Sequence, residues 1–243
     1  MLRDARPGYL LFGIEPELDC GDPALASSAM HGADFVAVFT AYRSEAMSRY
    51  ADVILPIAPY AENSGTFVNL EGRWQSFEAA VRAPGEARPG WKVLRVMGNV
   101  LDIEGFDYLS AEEVRVEVEN LVEQAAPMRA AWRSGERMPW PQEALCRLGS
   151  VPLYAADAIV RRAPALQQTR DAAFSGVSLN SAVAARLGLE DGARAAVRQG
   201  DSCIRVPVFI DDRLPDGCAC VPAGVPQAAA LGPDIGPMHV TPA

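Results

Sequence analysis

Three short apolar runs, each closed by a helix-start or stop signal, constrain this chain more than any other feature. Tyr9-Leu-Leu-Phe-Gly-Ile14 is followed by Asp22-Pro23, an N-cap with proline at the first helical position, so Ala24 to Met30 is expected to be helical. Asp34-Phe-Val-Ala-Val-Phe39 comes next, and Ser44-Glu45 opens a short helix reaching Tyr50. Ala51-Asp-Val-Ile-Leu55 completes the series, and Pro56 stops it. Short apolar runs without polar alternation fit strands buried on both faces. Their alternation with helices fits a parallel sheet with right-handed crossovers. The expected fold class is therefore α/β, beginning with a partial parallel α/β domain over residues 1–125. Three strands fall short of the ~5–6 of a typical sheet, which leaves two edges open.

The remainder changes character twice. Glu62 to Gln75 reads as a polar, glycine-containing loop. Trp91, Leu94, Met97 and Leu101 then share one helix face. Ser110 and Glu113 form a capping box ahead of a second helix, with Val114, Val118, Leu121 and Val122 on one side. Residues 126–173 hold prolines at 127, 139, 141, 152 and 164. With Trp132, Trp140, Leu145 and Leu153 they are expected to form an irregular connector packed over the surface. From 174 to 243 the signals are those of strands. Asn180 caps a short helix over 181–187 and Gly188 ends it. Asp191-Gly192, Gly200-Asp201 and Pro215-Asp216-Gly217 make turns. Ile204, Val206, Val208 and Ile210 alternate cleanly, and Cys218 to Val221 is a further strand. Short strands at this spacing point to a small β-barrel.

Composition removes several function classes. The net charge of -9 disfavours a nucleic-acid surface, which needs Lys and Arg against phosphates. No apolar run approaches the ~18 residues of a membrane helix, and Glu15 and Glu17 interrupt the only stretch resembling a signal peptide. The five cysteines, at 20, 146, 203, 218 and 220, are odd in number and scattered, so a reducing cytoplasm fits better than a disulfide framework. Two histidines, His31 and His239, are too few for a His-built metal site, and His239 shows no catalytic partner. Cys218-x-Cys220 could be half of a metal site, but core packing is the favoured reading. Cys20 lacks a neighbouring cation to activate it. Asn63-Ser64-Gly65 lacks the surroundings of a nucleophile turn.

One stretch carries a family resemblance. Ala51-Asp-Val-Ile-Leu-Pro56 followed by Glu62, Gly65, Thr66, Asn69, Glu71, Gly72, Arg73 and Gln75 resembles the molybdopterin oxidoreductase superfamily, in which a strand ending ADVxLP precedes a Glu, a GT and an NxEGRxQ pattern. Gly85-Glu-Ala-Arg-Pro-Gly-Trp-Lys-Val-Leu-Arg95 and Asp157-Ala-Ile-Val-Arg-Arg-Ala-Pro-Ala-Leu-Gln167 are similar to the G subunits of respiratory NADH-quinone oxidoreductases. Ser178 to Gly192 looks like the start of the superfamily's last domain, a double-psi β-barrel that covers part of a molybdopterin dinucleotide where one is bound.

The resemblance implies the C-terminal portion of an electron-transfer subunit. Electrons would pass from NADH to quinone through 2Fe–2S and 4Fe–4S clusters that full-length members carry outside this stretch. It implies no cofactor in this chain, whose activity alone is expected to be absent. Glu62, Gly65, Thr66, Asn69, Glu71, Gly72, Arg73 and Gln75 would be a vestigial pterin site. In that case Glu71 and Arg73 lock the loop by hydrogen bonds, and the glycines supply unusual backbone angles. Expected partners are the other subunits of the oxidoreductase and the N-terminal part of the same subunit, on the cytoplasmic side of a bacterial inner membrane in the peripheral arm. The alternative is the tail of an active molybdopterin enzyme of formate-dehydrogenase type.

Overall fold

The first apolar run forms β1 (Gly8–Phe12), and Pro16 then starts a single helical turn, α1 (Pro16–Asp19). α2 (Pro23–His31) begins where its capping residue dictates, with the Asp22 carboxylate accepting from the Leu25 amide at 3.1 Å. β2 (Phe35–Thr40), α3 (Met47–Tyr50) and β3 (Val53–Pro56) complete a three-stranded parallel sheet in the order β1-β2-β3. α3 is shorter than the helix expected from Ser44, because residues 44–46 form a turn in which the Ser44 hydroxyl accepts from the Met47 amide at 3.0 Å. The computed structural model describes residues 1–4, 6–125, 144–169, 172 and 176–243.

The two faces of this sheet are covered unequally. On one, Tyr9, Leu11, Val36 and Val38 pack with Ala29, Met30, Met47 and Tyr50 of α2 and α3. On the other, Ala37 and Phe39 meet Ile57 and, among the described residues, only one helix, through Val93, Leu94 and Met97. Leu10, Phe12, Phe35 and Val53 remain exposed. Each fully buried Val or Met is worth about 1.5–3 kcal/mol relative to solvent, so the first face dominates the sheet's stability.

The polar stretch after β3 is a β-hairpin, β4 (Gly65–Val68) with β5 (Trp74–Phe77). α4 (Gly90–Val100) supplies the helix under the sheet, and α5 (Ala111–Gln124) follows. The capping box of α5 is displaced by one residue from its expected form. Ser110 Oγ accepts from the Glu113 amide at 3.2 Å, but Glu113 Oε2 reaches back to the Leu109 amide at 2.7 Å.

The expectation that 126–173 is an irregular surface connector fails over its later part. Trp132 and Trp140 lie outside the described residues. Leu145 does not pack over the surface: β6 (Leu145–Leu148) is a barrel strand, followed by the short helices α6 (Ala158–Arg161) and α7 (Pro164–Gln167). A four-residue strand without apolar alternation, between proline-rich stretches, carries too little pattern to read. Then come β7 (Val177–Leu179), α8 (Ser181–Leu187), β8 (Arg194–Gln199), β9 (Ser202–Ile210), β10 (Cys218–Cys220) and β11 (Ile235–Pro242). Six of these strands close a barrel in the order β10-β6-β11-β8-β9-β7. α8 is capped as expected, with Asn180 Oδ1 accepting from the Val183 amide at 2.7 Å and Gly188 ending it. Val177, Leu179, Val197, Val206, Val208, Met238 and Val240 fill the interior.

Arg147 of β6 is fully buried at one end of this barrel. Its guanidinium donates to the carbonyls of Val221, Pro222, Gly232 and Pro233 and to Gln199 Oε1, with Asp234 at 3.6 Å. Burial pulls its pKa down and Asp234 opposes the shift. Five donors in a fixed fork can satisfy several loop carbonyls at once, so one side chain organises the chain segments around 221 and 233.

Candidate functional site

The eight residues singled out from the sequence fall on one hairpin but do not converge on one point. Glu62 ends a turn of 3-10 helix over 60–62, Gly65 and Thr66 lie in β4, and Gln75 lies in β5. Asn69, Glu71, Gly72 and Arg73 make the connecting loop, and all four are exposed. The expected lock is made by a different residue. Asn69 Oδ1 accepts from the Glu71 amide at 3.0 Å and from the Arg73 amide at 2.9 Å, and the Asn69 amide donates to the Arg73 carbonyl at 3.2 Å. The side chains of Glu71 and Arg73 enter no hydrogen bond or ion pair among the described residues.

Two glycines are required for different reasons. Gly72 sits at φ +78°, where an L side chain is strained. At Gly65 an added Cβ would come within 3.0 Å of the Phe77 ring, which stacks on Phe67 at a centroid distance of 4.9 Å. Thr66 Oγ1 and Ser76 Oγ are 3.0 Å apart across the strands. Ser64 Oγ donates to Glu78 Oε2 at 2.7 Å and accepts from the Ala79 amide, a structural rather than nucleophilic arrangement.

Two clefts adjoin the hairpin. One of about 380 Å³ is lined by Ser64, Thr66, Ser76, Glu78, Lys92 and Glu112. The other, about 480 Å³, is largely apolar and lined by Phe12, Trp74, Trp91, Leu94, Val114 and Val118. Asn63 lines both, and its buried Oδ1 has no partner among the described residues. A pterin dinucleotide needs polar donors converging on its ring and phosphates. Here Asn69 is committed to its own loop and Arg73 stands in solvent, so the eight residues of this chain do not by themselves form such a cradle. No group of three or more His, Cys, Asp or Glu among the described residues is placed to hold a metal ion, so the donor set does not fit an iron–sulfur cluster either.

A second polar cluster escaped sequence reasoning. Glu15 and Glu17, which in the sequence mark only the end of the first apolar stretch, are both buried. Glu15 is held by Arg161 and Arg162 of the α6 region, with Nη1 of each 3.0 Å from Glu15 Oε2. Arg161 also pairs with Asp19. Arg162 lies over the Tyr42 ring at 4.7 Å. Burial pushes the Glu15 carboxyl up, but Arg162 and Arg161 outweigh it and hold it below the ordinary carboxylate value. Glu17 accepts from the Tyr50 hydroxyl at 3.2 Å and from Ser44 at 3.3 Å. Burial and this carboxylate together push the Tyr50 hydroxyl up. The cluster ties the α/β part to the segment ahead of β7, beside a backbone bond from the Ala24 amide to the Leu231 carbonyl at 3.1 Å. The one available signal was the Arg161-Arg162 pair inside the Asp157–Gln167 segment. Its carboxylate partner lies too far away in sequence to be found by pattern.

Comparison with known proteins agrees with this architecture. Residues 3–100 match the family model described as molybdopterin oxidoreductase. The chain is 31% identical over 231 residues to the G subunit of NADH-quinone oxidoreductase from Streptomyces coelicolor, covering 88% of this chain and 25% of that protein. It is 32% identical over 132 residues to the alpha subunit of F420-dependent formate dehydrogenase 2 from Methanococcus maripaludis, covering 54% of this chain and 19% of that one. The solved structure of acetylene hydratase from Pelobacter acetylenicus superposes with a TM-score of 0.61 at 14% identity, over 96% of this chain and 44% of its own, a likeness of fold. The chain thus spans a quarter or less of the curated relatives it matches. Over residues 3–100 it carries a molybdopterin oxidoreductase domain, and along most of its length it is similar to the G subunit of NADH-quinone oxidoreductase.

Proposed function

We propose that this chain is a structural portion of the electron-transferring G subunit of an NADH-quinone oxidoreductase, with the iron–sulfur clusters held outside it. The observation that carries the reading is extent. Similarity to the G subunit covers 88% of the chain, through the barrel, whereas similarity to the formate dehydrogenase covers 54%. In this reading the partners are the other subunits of the complex and the rest of the G subunit, in the peripheral arm on the cytoplasmic side. No helix among the described residues is long and apolar enough to cross a membrane, which accords with attachment through partners.

Within this proposal the Glu62–Gln75 hairpin is a vestigial pterin site, and the barrel is of double-psi type. Two parallel strand pairs, β10 with β6 and β7 with β9, support the barrel assignment. The division into 1–125, 126–173 and 174–243 is retained as a domain proposal, with β6 assigned to the barrel. The second reading, part of an active molybdopterin oxidoreductase, draws on the formate dehydrogenase match.

Affinity purification of the tagged chain from detergent-treated membranes of its host separates the two. The expected outcome is co-elution with NADH-quinone oxidoreductase subunits and NADH-dependent quinone reduction in the eluate. The chain expressed alone should contain no iron, acid-labile sulfide or molybdenum. Stoichiometric molybdenum with a pterin, together with formate-dependent dye reduction, would overturn the proposal in favour of the second reading.

A further inference from the structure

The barrel brings together cysteines that are far apart in sequence. β6 and β10 are parallel neighbours with Cys146 directly opposite Cys218, and the Cys146 amide donates to the Gly217 carbonyl at 2.7 Å. Both strands alternate in burial. Leu145, Arg147 and Ala219 face inward, while Cys146, Cys218 and Cys220 are half-buried on the outer side. All five cysteines are free thiols. The outer face of this seam therefore carries three of them, two side by side.

We propose that Cys146 and Cys218 form a redox-active dithiol that closes reversibly to a disulfide, joining β6 to β10 across the barrel seam. Hydrogen-bonded neighbouring strands lie about 4.8 Å apart, inside the ~4.4–6.8 Å Cα separation that a disulfide spans. Cys218 and Cys220, two residues apart on one strand, are about 6.6 Å apart. That is the far end of the range, with Cβ atoms some ~2 Å too distant for the usual bridge. Geometry thus selects the cross-strand pair over the Cys-x-Cys pair that stands out in the sequence. Three sulfurs without a fourth ligand do not make a zinc site, and no metal-binding group is assembled here among the described residues.

The oxidant required is a peroxide. One thiolate attacks a peroxide oxygen, forming a sulfenic acid and releasing water. The second thiol then attacks that sulfur, the S–S bond forms, and a second water leaves. Two thiols are oxidised and one peroxide is reduced. Burial, then the neighbouring Cys218, pushes the Cys146 thiol up, which makes Cys146 a slow nucleophile.

The test treats the full, reduced chain with hydrogen peroxide and maps its peptides without reduction after alkylation. The expected result is one intramolecular 146–218 bridge, the loss of two free thiols, and their recovery with dithiothreitol. Cys146→Ser and Cys218→Ser should each abolish the bridge, while Cys220→Ser and Cys203→Ser leave it in place. A 218–220 bridge, crosslinked dimers through the exposed Cys203 alone, or thiols that survive peroxide levels oxidising free cysteine would each overturn the proposal. Mapping of the unsubstituted chain decides the matter even where a serine variant fails to fold.

Discussion

At the scale of single residues, the motif loop shows how a family pattern and a physical role separate. Arg73 belongs to the pattern yet stands in solvent, whereas Asn69 supplies the acceptor for two loop amides. Exposed substitutions away from such features usually fall within about ±0.5 kcal/mol, and a net hydrogen bond is worth about 1 kcal/mol. Arg73→Ala is therefore expected to leave the urea midpoint unchanged, and Asn69→Ala to lower stability by about 1 kcal/mol. A fall with Arg73→Ala as large as with Asn69→Ala would show that the guanidinium has a partner the hairpin does not reveal. The sequence grouped these residues, and they fall on one hairpin. It did not disclose which of them braces the loop, because side-chain direction in a loop follows from backbone angles that no residue pattern encodes.

At the scale of elements, local signals were the legible part. Asp22, Ser110 and Asn180 cap the helices they were expected to cap, and the alternation in β9 turns Val206 and Val208 inward. What could not be read is long-range: β6 inside the barrel, the buried Arg147, and Glu15 under the α6 arginines. Each is a polar or short element whose partner lies many residues away. The Glu15 cluster has a pH signature. A carboxyl whose folded pKa is depressed contributes stability that is present above its unfolded value, ~4.3, and lost as pH falls through the lower folded value. Glu15→Gln is expected to cost about 3 kcal/mol at pH 7, since two arginines are left facing a neutral amide. The variant should also flatten the acid limb of the stability curve below about pH 4.5. Asp234, raised by burial, contributes a slope of the opposite sign, but equally in both proteins, so it cancels in the comparison. Parallel acid limbs in thermal melts of the two proteins would rule out Glu15 as the titrating group.

At the scale of the molecule, the two halves differ in how completely they close. The barrel pairs every strand with two neighbours and hides its interior. The parallel sheet has three strands, so β1 and β3 are both edges, and only one short bridge, Ile57 to Arg88, continues beyond β3 among the described residues. Along β1, residues 8, 10 and 12 alternate outward, with Leu10 and Phe12 exposed beside Phe35 and Val53. An edge strand offers a row of N–H and C=O groups, and here it comes with an apolar face that, among the described residues, a single helix covers in part. Proteins blunt such edges with charge or a covering element, and β1 contains no Lys, Arg, Asp or Glu. The chain expressed alone is therefore expected to self-associate through this sheet. Size-exclusion chromatography with light scattering should give a mass that rises with concentration above the 26.0 kDa of one chain. Leu10→Lys, which places a charge on the edge without touching the buried Tyr9 and Leu11, should shift the population toward the monomer. A monomer at every concentration, with a cooperative melt, would mean that the three strands and their helices complete their own core and that the exposed edge has no appetite for a partner.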